Sequence, residues 1–162
     1  MRSLRFSVGS RDLAVDLAWV REVCPIVHLR PVPQAPPWLR GLFDYHGTLL
    51  PAADLSVLLG GEPVQPRVGA RMLLLEGAID GAADGRRAAF GLLVERVDTP
   101  AELERAGSWT ALDGLPGLPF VREVAAGSSQ PVLVLDAGRL AATHAPLLQG
   151  PGVLAVTSSA QP

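Results

Sequence analysis

Polar and apolar residues alternate near the start of the chain in a pattern that is typical of half-buried β-strands. Every second residue is apolar in residues 4–8, and the same period of two returns in residues 13–17. Residues 9–12 between these runs are polar or glycine. Two alternating runs around a short polar turn predict a β-hairpin.

Short apolar runs that end at glycine or proline continue along the chain and predict further strands. Residues 72–75 and 88–94 are expected to pair, with an exposed and mobile insert at residues 77–87 between them. Residues 120–124 and 132–135 predict two more strands. Many short strands with little helix indicate an all-β or β-rich fold, in the form of one small barrel or two.

Helix is predicted at only a few places, and proline limits its length. Residues 19–23 permit one helical turn or a bent strand, because a proline follows shortly after. Residues 29–37 contain four prolines and predict an extended connector. A longer helix is predicted for residues 136–149, with Asp136 as its N-terminal cap and Pro146 as the residue that frays it or ends it early.

Composition narrows the class of protein. The 162 residues are 48% apolar and 19% charged, which suits one domain or two small subdomains that share a core. The net charge of −2 indicates no polycationic face, so we expect no nucleic-acid partner. No apolar run is long enough to cross a bilayer, so we expect no direct membrane insertion. The single cysteine, Cys24, excludes an intrachain disulfide and favours a cytoplasmic protein.

The basic side chains are unusually uniform. All 14 are arginine, and the chain contains neither lysine nor asparagine. A GC-rich genome explains this bias more simply than a demand for bidentate arginine chemistry. Aspartate or arginine can therefore stand where a related chain uses asparagine or lysine.

The sequence contains no arrangement of residues that is typical of a catalytic or cofactor site. His28, His46 and His144 are scattered and have no metal-ligand spacing with Cys24. The chain has no nucleophile elbow, no phosphate-binding loop and no dinucleotide fingerprint. We therefore expect no enzyme, no cofactor and no metal. A small hydrolase whose site forms between two barrels is the alternative from a different class.

Several other conspicuous side chains have structural interpretations. Trp19, Trp38 and Trp109 each adjoin apolar residues, which favours core or interface anchors over ligand stacking. Asp54 precedes a predicted helical turn at residues 56–59, so a capping role explains it better than a metal does.

The segments of the chain, taken together and in order, resemble the CheW-like family of chemotaxis coupling proteins. The resemblance runs from about residue 4 to residue 140. It begins with the hairpin LRFSVGSRDLAVDL and the connector PVPQAPPWLRG. LFDYHGTLLPAADL then resembles the family signature of an apolar residue, Asn-Leu-Arg-Gly, an apolar-Pro-apolar run and Asp-Leu. RMLLLEG, AAFGLLVERV and QPVLVLDAGRL resemble the later strands and the terminal helix.

This resemblance implies two small five-stranded SH3-like β-barrels packed on a shared hydrophobic core, without catalysis. Residues 1–150 would form a single domain of two barrel subdomains. Residues 151–162 are small and polar enough to predict a flexible tail. The implied partners are the cytoplasmic tip of a methyl-accepting chemoreceptor and the regulatory domain of a CheA-type histidine autokinase. The protein would be cytoplasmic and recruited to membrane-bound receptor arrays. An accessory scaffold that caps such arrays remains open as an alternative.

The resemblance also implies a set of partner-binding residues, some of which depart from the family pattern. The candidates are Val20, Glu22, Gly41, Asp44, Tyr45 and His46. Asp44 stands where the family usually has asparagine, Tyr45 where it has an aliphatic residue, and His46 where it has arginine. A His46–Glu22 ion pair would be monodentate and sensitive to pH. We therefore hypothesise a divergent coupling protein with an altered receptor preference.

Overall fold

The computed structural model describes residues 1–103, 110–111, 119–125, 130–144 and 147–148. These residues form two mixed β-sheets and two short α-helices. The first sheet contains β1 (Arg2–Val8), β2 (Arg11–Asp16), β8 (Arg96–Val97), β9 (Ala101–Glu102), β10 (Thr110–Ala111), β11 (Val121–Ala125) and β12 (Val132–Leu135). The second contains β3 (Val20–Pro25), β4 (Leu39–Tyr45), β5 (Thr48–Asp54), β6 (Arg71–Ala78) and β7 (Arg87–Val94).

The predicted N-terminal hairpin is confirmed, with a tighter turn than the sequence indicates. Strands β1 and β2 pair antiparallel from Ser3↔Asp16 to Val8↔Arg11, so only Gly9 and Ser10 remain in the turn. The first sheet runs in the order β10-β11-β12-β2-β1-β8, and β9 also pairs with β1. It therefore contains seven strands where the resemblance implies five, and three of the seven, β8, β9 and β10, are only two residues long.

The second sheet curls into a barrel. Its strands run in the order β3-β6-β7-β5-β4, which places β3 and β4 at opposite edges. Shortly after β3 the chain reaches Arg30, whose backbone exchanges two hydrogen bonds of 2.8 Å with that of Leu42 on β4. This bridge joins the two edges. The connector between β3 and β4 is otherwise free of strand pairing, as its prolines predict.

The two barrels share one core, and this explains why some strands show no alternation. On β2, Leu13 and Val15 belong to the large apolar cluster that contains residues of both sheets. Ala14 between them belongs to a small cluster formed only by the first barrel. On β6, residues 72–75 are all buried. A strand that is buried on both faces has a continuous apolar sequence, which is the pattern from which the β6–β7 pair was predicted.

The helices are short and begin at aspartate caps. Helix α1 (Leu55–Leu58) begins after Asp54, and helix α2 (Ala137–Thr143) begins after Asp136, whose carboxylate accepts a hydrogen bond of 2.9 Å from the backbone N–H of Arg139. The prediction of a helix through residue 149 was too long, since α2 ends at Thr143. Pro146 disfavours helical conformation in the residue before it, which accounts for the early end.

Residues 19–23, predicted as one helical turn or a bent strand, are strand from Val20 onward. Leu17–Trp19 form one turn of 3-10 helix, and β3 follows with a bulge between Val20 and Glu22. Trp19 packs against Gly77, where a Cβ atom would lie 2.7 Å from the indole ring. Trp38 is half-buried and contacts His144 edge to face, with 4.9 Å between ring centroids. Both tryptophans thus anchor segments to the core; Trp109 and the proposed tail at 151–162 lie outside the described residues.

Candidate partner-binding surface

The turn between β4 and β5 presents the predicted site residues at one end of the second barrel. Tyr45 pairs with Thr48, which leaves a two-residue turn. His46 and Gly47 have φ of +50° and +87°, as a tight hairpin turn of the type I′ class requires. The carboxylate of Asp44 accepts a hydrogen bond of 2.7 Å from the Gly47 N–H. Asp44 therefore stabilises the turn, and His46 lies exposed at its tip.

A concavity opens beside this turn, at the end of the second barrel, and we call it the barrel mouth. It has a volume of about 260 Å³. All five strands of the sheet, with the β4–β5 turn, contribute to its lining, which is formed by Arg21, Tyr45, His46, Thr48, Leu50, Leu74, Glu76 and Ala89. Leu50 and Leu74 are buried and form an apolar floor, whereas the charged and polar side chains form the rim.

Arg21 is the charged centre of the barrel mouth. Its Nη1 atom forms an ion pair with Glu76 on the neighbouring strand β6. The guanidinium also lies over the ring of Tyr45, 5.9 Å from the centroid. The hydrogen bond with Glu76, and then the charge of that carboxylate, raise the pKa of Arg21 above its ordinary value. Arg21 is thus positively charged at any physiological pH.

Tyr45 connects the remaining residues of this surface. Burial of its hydroxyl, followed by a hydrogen bond with Glu22 and the charge of Glu22, raises the pKa of Tyr45. Its ring meets the edge of His46, with 4.4 Å between centroids and 69° between planes. Glu22 therefore faces Tyr45, and His46 and Glu22 form no ion pair in the part of the chain that the structure describes. The position of His46 at the turn tip explains this, because its ring packs on Tyr45.

The other two candidates lie away from the barrel mouth. Gly41 is buried on β4, and its φ of +148° allows the backbone of Arg30 to pass close to it. Val20 begins β3, opposite Leu75, and packs partly against the shared core.

Three polar residues of the barrel mouth were not among the predicted site residues: Arg21, Thr48 and Glu76. The pairing of β3 with β6 brings Arg21 to Glu76, and a bulge in β3 shifts the register of that pairing. Local alternation carries no information about a bulge or about which strands become neighbours. Thr48 could have been predicted as a site residue from the sequence, since it flanks a Gly-containing two-residue turn.

The described ranges give no evidence of a metal site or of a membrane-spanning helix. They contain no group of three or more His, Cys, Asp or Glu side chains that could hold a metal ion. Nor do they contain a helix of the length and apolar character that crossing a membrane requires.

The two packed barrels have an SH3-like architecture, and comparison with a solved structure gives the same fold. The scaffolding protein TtCheW from Thermoanaerobacter tengcongensis superposes with a TM-score of 0.67 at 19% identity, covering 83% of this chain and 87% of that one. Residues 2–144 match the family model described as a CheW-like domain. The chain therefore belongs to the CheW-like domain family, and the resemblance found in the sequence is confirmed.

Two curated relatives carry chemotaxis names. The probable chemotaxis protein CheW of Rhizobium etli is 30% identical over 94 residues, which are 58% of this chain and 56% of that protein. The chemotaxis protein CheW of Rhizobium meliloti is 32% identical over 65 residues, 40% of this chain and 42% of that protein. The chain thus spans about half the length of these relatives. Proteins of this family are non-enzymatic scaffold and adaptor proteins of chemotaxis, so the chain is not an enzyme and the hydrolase alternative falls.

Proposed function

We propose that this protein couples the cytoplasmic tip of a methyl-accepting chemoreceptor to the regulatory domain of a CheA-type histidine autokinase. The match of the CheW-like model to residues 2–144 is the observation that carries the proposal. In this role the protein works in the cytoplasm, at membrane-bound receptor arrays. Residues 1–150 act as one unit of two barrels.

The surface around β3 has the composition of a protein–protein interface. Val23 and Val27 are 41% and 42% exposed. Val23 lies on β3, two residues after Arg21, and Val27 follows the end of that strand. Exposed apolar side chains beside arginine and tyrosine are typical of binding surfaces. We assign Glu22, Tyr45 and His46 to this surface as partner-binding residues, with Asp44 and Gly41 as residues that shape it and Val20 at its margin.

Reconstitution tests the coupling role directly. Receptor-containing vesicles and the kinase are combined with and without this protein, and the rate of kinase autophosphorylation is measured. We expect stimulation of about tenfold or more, a size typical of coupling between binding sites. Omission of the receptor is the control, since a bridge stimulates only when both partners are present. Inhibition instead of stimulation would establish the capping scaffold.

His46→Arg tests whether the histidine sets receptor preference. We expect this substitution to change the ratio of affinities for the protein's own receptor tip and for a conventional one by about two- to fivefold, the size of an exposed charge contribution. His28→Arg is the matched control, because His28 is also exposed but does not line the barrel mouth. Titration by calorimetry gives both affinities. An unchanged ratio would mean that His46 is a tolerated replacement.

A further inference from the structure

We propose that Arg21 is a positioning residue for receptor binding, because it holds Tyr45, and with it the β4–β5 turn, against the open side of the second barrel. This inference rests on the proposed coupling function, in which the turn meets the receptor. Arg21 then acts through Tyr45 and needs no contact of its own with the receptor.

The backbone closes the second barrel over only part of its height. In the described residues, the two edges of the sheet are joined by the bridge between Arg30 and Leu42. Strand β3 pairs with β6 and β4 with β5, and the described parts of β3 and β4 exchange no backbone hydrogen bonds with each other. Tyr45 lies three residues beyond Leu42, about 10 Å further along β4. We call the stretch between β3 and residues 43–45 the seam, and side chains must hold it closed.

Arg21 spans the seam. Its guanidinium forms an ion pair with Glu76 on β6 and lies over the ring of Tyr45, 5.9 Å from the centroid. Glu76 thus anchors the cation from the strand beside β3, and the cation attracts the face of a ring on the opposite edge. Since Tyr45 flanks the two-residue turn and its ring meets that of His46, a contact on this ring also restrains the turn.

Tyr45 makes the link across the seam that the sequence suggested for His46. A His46–Glu22 ion pair would have joined the turn to β3, but Glu22 faces the hydroxyl of Tyr45 instead. Two residues of β3 therefore contact Tyr45, Arg21 at the ring and Glu22 at the hydroxyl. Leucine at position 45 could make neither contact, because it has no π face and no polar group.

The exposure of these contacts sets the size of the expected effect. The side chains of Arg21 and Glu76 are 55% and 29% exposed, and exposed ion pairs and cation–π contacts each contribute little. Their loss should weaken receptor binding about three- to fivefold, because the receptor must then order the turn. An arginine that contacts a partner directly at the centre of an interface costs about thirtyfold or more when it is removed. The size of the loss therefore distinguishes positioning from direct contact.

Calorimetric titration of the full chain with the receptor's cytoplasmic fragment tests the inference. Arg21→Gln and Glu76→Ala should each weaken binding about three- to fivefold, and the double variant should bind no more weakly than either one. Arg21→Lys should restore most of the affinity, because both contacts need only a cation. Arg87→Gln is the matched control, since Arg87 is exposed on β7 outside the barrel mouth. It should change the affinity less than about twofold.

Nuclear magnetic relaxation of backbone amides in the free chain provides a readout that needs no partner. Arg21→Gln and Glu76→Ala should increase the motion of residues 44–48 and leave Leu73 on β6 unchanged. Arg87→Gln should change neither. In a Tyr45→Leu background, Arg21→Gln should add no further motion, because the ring through which Arg21 acts is gone.

The outcomes separate the two proposals. If the wild-type chain neither binds the receptor fragment nor stimulates the kinase, the coupling function fails, and the relaxation data still decide whether Arg21 restrains the turn. Unchanged motion of residues 44–48 in Arg21→Gln would overturn the positioning role. A loss of about thirtyfold or more in Arg21→Gln with unchanged affinity in Glu76→Ala would also overturn it, since Arg21 would then contact the receptor directly.

Discussion

Asp54→Ala is expected to lower the free energy of unfolding by about 3 kcal/mol, because this buried carboxylate satisfies three donors. Its Oδ2 atom accepts from Arg40 Nη1 at 2.6 Å and from the Val64 N–H at 2.9 Å, and its Oδ1 atom accepts from the Val57 N–H at 3.2 Å. Asp54 therefore caps α1, forms an ion pair with Arg40 on β4 and binds the backbone of Val64 in the segment before β6.

The two backbone bonds account for most of the expected loss. Removing a helix cap costs about 1 kcal/mol. Leaving the buried Val64 N–H without an acceptor costs a further 1–3 kcal/mol or so. The Arg40 side chain is 30% exposed, so water compensates much of the lost ion pair. Asp54→Asn keeps one carbonyl acceptor and should fall between the wild type and Asp54→Ala.

Urea unfolding followed by circular dichroism measures this difference. Asp98→Ala is the control, because the Asp98 side chain is 46% exposed and pairs with Arg96 only at 3.7 Å. That variant should change the free energy of unfolding by less than about 0.5 kcal/mol. Equal unfolding midpoints for Asp54→Ala and Asp98→Ala would show that the carboxylate does not hold these segments together.

The elements of this fold were predictable where a strand has one buried face or a cap has a clear residue type. Strand β1 alternates because one of its faces, with Leu4, Phe6 and Val8, meets the shared core. Asp54 and Asp136 both cap helices as predicted. The order of strands was not predictable in this way. Strand β12 pairs with β2 in parallel, and β5 with β7, and such contacts join segments that lie far apart in the sequence.

The candidate site was predictable to the extent that it lies on one turn. Tyr45 and His46 adjoin the barrel mouth because a two-residue turn places them there, and that turn has a local sequence pattern. Arg21 and Glu76 meet only through the register of β3 with β6. A strand shifted by one residue would turn Arg21 to the opposite face, so tertiary pairing decides which charge lines the site.

Gly41→Ala is expected to destabilise the protein by about 2–4 kcal/mol, the sum of backbone strain and a forced displacement. The φ of Gly41 is +148°, which residues with a Cβ atom rarely adopt. An added Cβ would also lie 2.5 Å from the carbonyl oxygen of Arg30 and 2.9 Å from its carbonyl carbon. Both are backbone atoms, so no side-chain rotation can relieve the overlap.

Gly9→Ala separates the cost of backbone strain from the cost of the steric overlap with Arg30. Gly9 also has a positive φ, +57°, but an added Cβ would meet nothing within 4 Å. Its substitution should therefore cost only about 1 kcal/mol, from backbone conformation alone. Thermal unfolding of both variants gives the difference, and equal melting temperatures would contradict a role for the close approach of Arg30.

Gly41→Ala should also weaken the bridge that closes the second barrel. The backbone of Arg30 exchanges hydrogen bonds with Leu42, the neighbour of Gly41, and displacement of Arg30 must lengthen both. Hydrogen exchange at the amides of Arg30 and Leu42 should then accelerate more than at Leu73 on β6, a strand that is paired on both sides. Because this bridge joins β4 to the segment after β3, the variant should also weaken partner binding at the barrel mouth. Unchanged protection at both amides would instead confine the effect to global stability.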